Sequence, residues 1–376
     1  MARDIYARLA QHLDNLPGGF PRAESGVEIR ILRRLFTRDD AELAVHLTLI
    51  PEEPRVVAHR AKIPIEEAAR RLDEMHEKGL IFKMQRDGKA PRYQAQQFVV
   101  GFWEAQVNRL DRGLVEDFED YLPTLVDLEF WRKAPQLRTI PVGKSISTQT
   151  EVMAYERAEE LVRSQQTFAV ANCICRQELR VLGEGCDKPL ESCLSFGVTA
   201  EHIVRTGRGR GISQEEALAI LHRAEEAALV LQPANAKEAL FICTCCGCCC
   251  GVLRSVKRHP KPAKMVSSPF VATLNGETCE GCGACEMRCQ MGALCMDEGK
   301  AALDPDRCIG CGLCMTTCPT DSLSLVRKPE ARQPYVPKDI VDHYITMGRA
   351  RGKMGIGELI GMQIKSKLER LLALGK

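Results

Sequence analysis

The sequence contains the stretch Cys279-Glu-Gly-Cys282-Gly-Ala-Cys285-Glu-Met-Arg-Cys289, which is repeated as Cys308-Ile-Gly-Cys311-Gly-Leu-Cys314-Met-Thr-Thr-Cys318-Pro319. Both runs have the spacing C-x2-C-x2-C-x3-C. Three cysteines spaced in this way can turn around one cube of iron and sulfide, and the fourth then reaches the other cube. Structural zinc is the alternative, but zinc ribbons pair their cysteines as two C-x-x-C knuckles. The spacing therefore predicts two iron–sulfur clusters.

On these two runs, residues of about 270–328, within a predicted domain over residues 266–328, resemble a bacterial-type ferredoxin domain with two [4Fe-4S] clusters. The resemblance implies pseudo-twofold symmetry, one-electron transfer and crossed ligation. One ligand set is then Cys279, Cys282, Cys285 and Cys318, and the other is Cys308, Cys311, Cys314 and Cys289. Gln290 stands where the first run would have a proline, which affects the local turn and the reduction potential but not the ligands. Cys295 lies outside both runs, in an apolar stretch that predicts a short strand, and is expected to be a buried core cysteine.

Composition excludes several classes of protein. The chain has 376 residues, 45% apolar and 5% aromatic, with a net charge of +2, so neither a disordered chain nor a strongly basic nucleic-acid binder is indicated. The first ten residues lack the apolar core of a signal peptide, and no stretch is long enough to span a membrane. Nineteen cysteines in metal-ligand spacings indicate reduced thiols in the cytoplasm and an anaerobic or low-oxygen setting.

The amino-terminal part predicts a helical arm (residues 1–25) and then a domain over residues 26–98. That domain has three helices, a longer helix from Pro64 to Gly79, and a hairpin around Asp87-Gly88. This order resembles a winged-helix domain, which often reads DNA. The segment from Ile65 to Lys78 carries five acidic and three basic residues, which disfavours contact with phosphates. Protein contact or homodimer formation is therefore preferred over DNA binding.

Residues 99–150 predict a helical connector and a linker. Residues 101–122 have apolar side chains at helical spacing, which predicts one long helix used as core or as a dimer seam. Residues 132–150 have a linker-like composition. The carboxyl-terminal tail (residues 329–376) ends in an amphipathic helix from Ile356, which can pack on the protein itself, on a partner subunit or on an anionic membrane surface.

Residues 151–265 form a second cysteine-rich region. Ten cysteines fall there in two groups: Cys173, Cys175, Cys186 and Cys193, and then Cys243, Cys245, Cys246, Cys248, Cys249 and Cys250. They are candidate ligands of one or two further iron–sulfur clusters, with zinc or free thiols as alternatives. If residues 243–250 are extended, Cys243 and Cys245 share one face and Cys246, Cys248 and Cys250 share the other.

The fold class is therefore α+β and multidomain, with a winged-helix-like domain, a cysteine-rich middle domain and a two-cluster ferredoxin-like domain. No dinucleotide-binding or P-loop motif and no catalytic triad is evident. The leading prediction is an electron-transfer protein that relays single electrons through its clusters to or from a larger oxidoreductase. The alternatives are a redox-sensing DNA-binding regulator and catalysis at an unusual cluster formed by residues 243–250.

Overall fold

The computed structural model describes residues 4–85, 88–146, 151–353 and 355–373. Part of the predicted turn at Asp87 and residues 147–150 of the predicted linker lie outside the described residues. The chain divides into two compact units. Unit 1 combines Met1–Leu125 with Tyr344–Lys376, and unit 2 is Val126–His343. The carboxyl-terminal tail from Tyr344 onward therefore belongs to the same unit as the amino-terminal domain, whereas residues 329–343 belong to unit 2.

The α-helices of the described residues are α1 (Ile5–Asp14), α2 (Val27–Leu35), α3 (Arg38–Ala44), α4 (Pro54–Ala61), α5 (Ile65–Lys78), α6 (Arg112–Leu125), α7 (Leu128–Lys133), α8 (Ala158–Arg163), α9 (Ile174–Leu182), α10 (Gly197–Arg205), α11 (Gln214–Glu226), α12 (Gly251–Arg258), α13 (Ala284–Arg288), α14 (Ile340–Ala350) and α15 (Ile356–Leu372). The strands are β1 (Ile81–Met84), β2 (Arg92–Ala95), β3 (Phe168–Asn172), β4 (Glu191–Phe196), β5 (Gly209–Ile212), β6 (Val230–Pro233), β7 (Phe241–Cys245), β8 (Phe270–Leu274), β9 (Leu294–Asp297), β10 (Lys300–Leu303) and β11 (Leu323–Arg327).

Unit 1 has the order of elements that the sequence predicted, with α2 to α5 followed by the antiparallel hairpin β1–β2. Helix α5 follows Pro64 and ends at Gly79, whose φ of 83° is in the left-handed region that favours glycine. The basic residues of α5 are all paired with acidic groups: Arg70 with Glu74, Arg71 with Glu67, and Lys78 with Asp40. These contacts give no support to a DNA-reading role for α5, and the winged-helix assignment stays a prediction.

The single long helix predicted over residues 101–122 is wrong. Irregular backbone runs to residue 111, with Asn108 at φ 68°, and α6 begins only at Arg112. The break lets Trp103 fold back onto α6, where its ring stacks on Phe118 with centroids 4.1 Å apart. The apolar stripe is therefore an aromatic core that also contains Phe98 and Tyr121.

The last helix, α15, packs within unit 1 through its polar face. Arg60 of α4 donates to Glu369 at 2.6 Å and to both carboxylate oxygens of Glu52 at 2.6 Å, and Ser366 also donates to Glu52. Glu52 is 1% exposed. The apolar stripe of the helix is exposed, with Ile364 61% accessible to solvent. Packing on the protein itself was expected, but it uses the face opposite to the apolar one.

Replacing Arg60 with methionine should destabilise unit 1 by about 3–5 kcal/mol, because the buried Glu52 would lose its cationic partner. Urea unfolding of the full chain, followed by tryptophan fluorescence (Trp103 lies in this unit), measures the change. Arg38→Met is the matched control, since Arg38 pairs with Glu42 on the surface and should cost about 0.5 kcal/mol or less. Equal effects of the two substitutions would contradict the buried network.

Unit 2 is built on a five-stranded antiparallel sheet in the order β5-β3-β4-β7-β6. Helix α11, capped by Ser213 as its sequence predicted, packs against the sheet. Residues 137–142 belong to the segment with a linker-like composition, but Leu137, Ile140 and Val142 are buried. Leu137 and Ile140 form isolated bridges to Ala234 and Leu231.

The ferredoxin-like segment lies in the same unit and has an approximate twofold order. Strand β8 precedes the first cysteine run and pairs with β11, which follows the second run. Between the runs, β9 and β10 pair as a hairpin. Each run is thus bordered by one strand of each pair. Among the described residues, no helix combines the length and apolar character that crossing a membrane requires.

Candidate metal centres

The first predicted ligand set surrounds one small cavity. Cys279, Cys282 and Cys285 line it from the first run, and Cys318 reaches it from the second. The pKa of Cys318 is lowered. Desolvation raises it, but hydrogen bonds to the sulfur from the backbone N–H groups of Thr320, Ser322 and Leu323 and from the Thr320 hydroxyl outweigh the desolvation. The fourth cysteine of one run is thus close to the first three of the other.

The second predicted set has the reciprocal arrangement. The pKa values of Cys308, Cys311 and Cys314 are raised, first by desolvation and then by the charge of neighbouring thiolates, among which Cys289 acts on all three. Burial brings the pKa of Cys311 to about 12. Cys289 of the first run therefore lies beside the first three cysteines of the second.

The residues present fit iron–sulfur clusters. Besides those directed at Cys318, backbone N–H groups donate to three further sulfurs, a feature that tunes cluster potentials: Ala272 to Cys308 at 3.3 Å, Ala293 to Cys289 at 3.1 Å, and Ala301 to Cys279 at 3.5 Å.

Both runs also depend on a glycine at the same position of the motif. Gly281 and Gly310 have φ values of 73° and 70°, and a Cβ at either would lie within 2.3 Å of a backbone carbonyl oxygen. The repeated glycine is thus a steric requirement of each turn.

Four of the upstream cysteines form a compact group that we call the four-thiol group: Cys186, Cys246, Cys248 and Cys249. Their sulfurs all lie within 4.8 Å of one another. The sulfurs of Cys249 and Cys186 are 3.5 Å apart, and those of Cys246 and Cys186 are 3.9 Å apart. Desolvation raises the pKa of Cys186, but the Lys188 N–H and the other three thiols donate to its sulfur and bring the pKa down to about 7. Four soft sulfurs at this distance suit one metal centre.

The other six upstream cysteines form a second set that we call the six-thiol group. Hydrogen bonds join them in one chain, in the order Cys173, Cys175, Cys250, Cys245, Cys243 and Cys193. The pKa of Cys243 is well below its usual value because it accepts from Cys193 and Cys245. Hydrogen bonds with Cys243 and Cys250 raise the pKa of Cys245, which donates to both. Cys245 and Cys250 are buried, and the other four are half-buried.

A buried arginine lies beside both groups. Arg176 of α9 is fully buried, and it donates to the Ser192 hydroxyl at 2.9 Å and to the Thr244 carbonyl at 2.6 Å. Desolvation lowers its pKa, but the neighbouring sulfurs of Cys173, Cys246 and Cys245 outweigh this and raise it. The guanidinium thus offsets thiolate charge from the four-thiol and the six-thiol groups together.

Sequence reasoning identified the ten cysteines but did not divide them in this way. The shared face of Cys243 and Cys245 was expected and both belong to the six-thiol group. The shared face of Cys246, Cys248 and Cys250 depended on an extended chain, and that condition is not met, because the strand ends at Cys245 and residues 247–249 form a turn. Because of that turn, Cys250 lies in the six-thiol group and not with Cys246 and Cys248.

Cys295 is a further correction. It was expected in the core, but it is exposed on β9, because the side chains of a strand alternate and Leu294 takes the inward position. Sequence reasoning also missed Arg176, although its position directly after Cys175 was visible.

A direct contact joins the four-thiol turn to the ferredoxin-like segment. The Gly247 N–H donates to Gln290 Oε1 at 2.8 Å, and a Cβ on Gly247 would lie 2.2 Å from the Gln290 carbonyl oxygen. Gln290 is the residue that replaces the proline after the first run, and a proline has no side-chain acceptor for this bond. Cys289 and Cys311 also pack against the core that contains Cys246 and Cys249. Gln290, the residue that departs from the ferredoxin pattern, therefore forms a packing contact with the four-thiol turn.

Comparison with known proteins agrees with the assignment of the carboxyl half. The sequence profile of the 4Fe-4S binding domain matches residues 301–324, which include Cys308, Cys311, Cys314 and Cys318. This part of the chain is therefore an iron–sulfur binding segment of the ferredoxin type. No curated protein and no solved structure matches the chain.

Proposed function

We propose that the chain is an iron–sulfur electron-transfer protein that relays single electrons between the four-thiol group and two ferredoxin-type [4Fe-4S] clusters, to or from a larger oxidoreductase. The observation that carries the proposal is the contact between Gly247 and Gln290. Gly247 lies between two cysteines of the four-thiol group, and Gln290 follows a predicted ligand of the second cluster. Two candidate centres are thus joined through one hydrogen bond.

The clusters supply the one-electron chemistry, and the chain supplies their positions and environment. The predicted ligands are Cys279, Cys282, Cys285 and Cys318 for one cluster, and Cys308, Cys311, Cys314 and Cys289 for the other. The N–H groups directed at the sulfurs stabilise negative charge there, and burial raises the energy of that charge. These opposing effects set the potential at which each centre accepts an electron.

The partner would dock at the first cluster. Cys282 is exposed and lies with Glu280 on the rim of the cavity. Met287, on the short helix between Cys285 and Cys289, is 79% exposed and offers an apolar contact. The second ligand set is more buried, so an electron leaves or arrives at the first. Homodimer formation through unit 1 and attachment of α15 to an anionic membrane surface remain proposals about further partners.

The test is Gly247→Ala in the full chain, purified without oxygen. The added Cβ forces the four-thiol turn away from Gln290, so the four-thiol centre should be reduced more slowly when electrons are supplied to the ferredoxin clusters. We expect a severalfold decrease, because electron transfer slows as the distance between the two centres grows. Rapid-freeze electron paramagnetic resonance measures the rate, with iron content as the check on cluster loading.

Gly276→Ala is the matched control, because a Cβ at Gly276 meets no atom within 4 Å. It should leave both the iron content and the rate unchanged. An unchanged rate in Gly247→Ala would contradict the relay route. Wild-type protein that contains zinc in place of iron would end the proposal altogether.

A further inference from the structure

The six-thiol group has more sulfurs than one cubane cluster needs. A [4Fe-4S] cube has four irons, and each takes one cysteine thiolate from the protein. The hydrogen-bonded chain from Cys173 to Cys193 is unbroken. No gap in it divides the six thiols into a set of four ligands and a pair of spare thiols. Cys243, next to the far end of the chain, is also close enough to Cys173 for its charge to raise the pKa of that thiol.

Four separate elements bring these sulfurs together. Cys173 and Cys175 lie at the start of α9, Cys193 on β4, Cys243 and Cys245 on β7, and Cys250 directly before α12. Strands β4 and β7 are neighbours in the sheet. The convergence is therefore a product of the tertiary fold and not of a local loop.

Backbone N–H groups donate to two of the six sulfurs and thereby favour the thiolate form of each. Cys250 accepts from the N–H groups of Val252 and Leu253 in the first turn of α12, and Cys173 accepts from the N–H of Arg176 in the first turn of α9. Such N–H groups have no partner within the helix and favour negative charge. The Arg176 guanidinium adds a full positive charge from within the core.

We infer that the six-thiol group binds one polynuclear iron centre, larger than a single cubane or bridged by thiolate, in which all six cysteine sulfurs are ligands. The centre would be an iron–sulfur cluster, since soft thiolates with N–H donors are the donor set of such clusters. A single zinc ion takes four thiolates and leaves two buried sulfurs without a metal. The inference rests on the proposed relay and adds a further centre to it.

The experiment substitutes each of the six cysteines with alanine, one at a time, in the full chain purified without oxygen. Every one of the six variants should lose the same spectroscopic signal and lower the iron content, whereas the ferredoxin signals should persist. Cys295→Ala, at an exposed cysteine outside both groups, is the control and should match wild type. Two or more variants among the six with wild-type iron and an unchanged spectrum would overturn the inference.

A measurement on the wild-type protein is independent of whether the variants fold. Mössbauer spectroscopy of the ⁵⁷Fe-enriched chain should contain iron sites that differ from those of cubane clusters. A spectrum of cubane sites alone, or two zinc ions per chain by elemental analysis of the same sample, would overturn the six-ligand centre and leave the ferredoxin relay untouched. Absence of the ferredoxin signals themselves would count against the relay, so the two failures are distinguishable.

Discussion

Cys289→Ala should remove the second cluster rather than the first. Cys289 belongs to the first run by sequence, but its charge acts on Cys308, Cys311 and Cys314, and its sulfur accepts from Ala293. We therefore expect a loss of about four irons per chain, the content of one cluster. The cluster held by the first three cysteines should keep its signal.

Matched variants identify the cluster that is lost. The reduced electron paramagnetic resonance spectrum of Cys289→Ala should coincide with that of Cys311→Ala, in which a central ligand of the second run is missing. It should differ from that of Cys282→Ala, and Cys318→Ala should in turn coincide with Cys282→Ala. The opposite pairing would show that each run ligates its own cluster and would refute crossed ligation.

Arg176→Met should lower the reduction potential of the upstream centres. Reduction adds negative charge, and the fully buried Arg176 guanidinium stabilises that charge beside Cys173, Cys245 and Cys246. Its removal should cost about 1–3 kcal/mol of stabilisation of the reduced state, which corresponds to roughly 40–130 mV for a one-electron couple. Potentiometric titration followed by electron paramagnetic resonance measures the shift, and iron content verifies that the centres remain.

Arg180→Met is the control for charge. Arg180 is on the same helix and donates to the Cys186 carbonyl at 3.2 Å, but it is exposed, so water and salt screen it. Its shift should be a small fraction of that for Arg176→Met. Arg176→Lys should recover part of the potential, because the charge returns although the two hydrogen bonds to Ser192 and Thr244 cannot both be reproduced. Equal shifts at Arg176 and Arg180 would contradict a local effect of the buried cation.

Local sequence signals correctly predicted several helices and strands. Pro64 and Gly79 border α5, Ser213 caps α11, and residues 168–170 lie in strand β3. The predicted long helix over residues 101–122 failed, because apolar spacing cannot distinguish a continuous helix from a chain that turns back to stack Trp103 on Phe118. The sequence correctly predicted an apolar stripe on α15. The stripe is exposed to solvent because the buried Arg60 network holds the opposite face of the helix against the protein.

The sequence by itself determined the two ferredoxin-type cysteine runs, because only two or three residues separate successive cysteines of each run and the glycine positions are local. Only the tertiary structure decided how the ten upstream cysteines divide. Cys186 and Cys246 lie sixty positions apart in the chain, yet their sulfurs are 3.9 Å apart. The sheet order that places β4 beside β7, the turn at Gly247 and the burial of Arg176 are all long-range packing outcomes. The spacing of cysteines therefore identifies the metal chemistry, whereas packing determines which sulfurs share a centre and how those centres are joined.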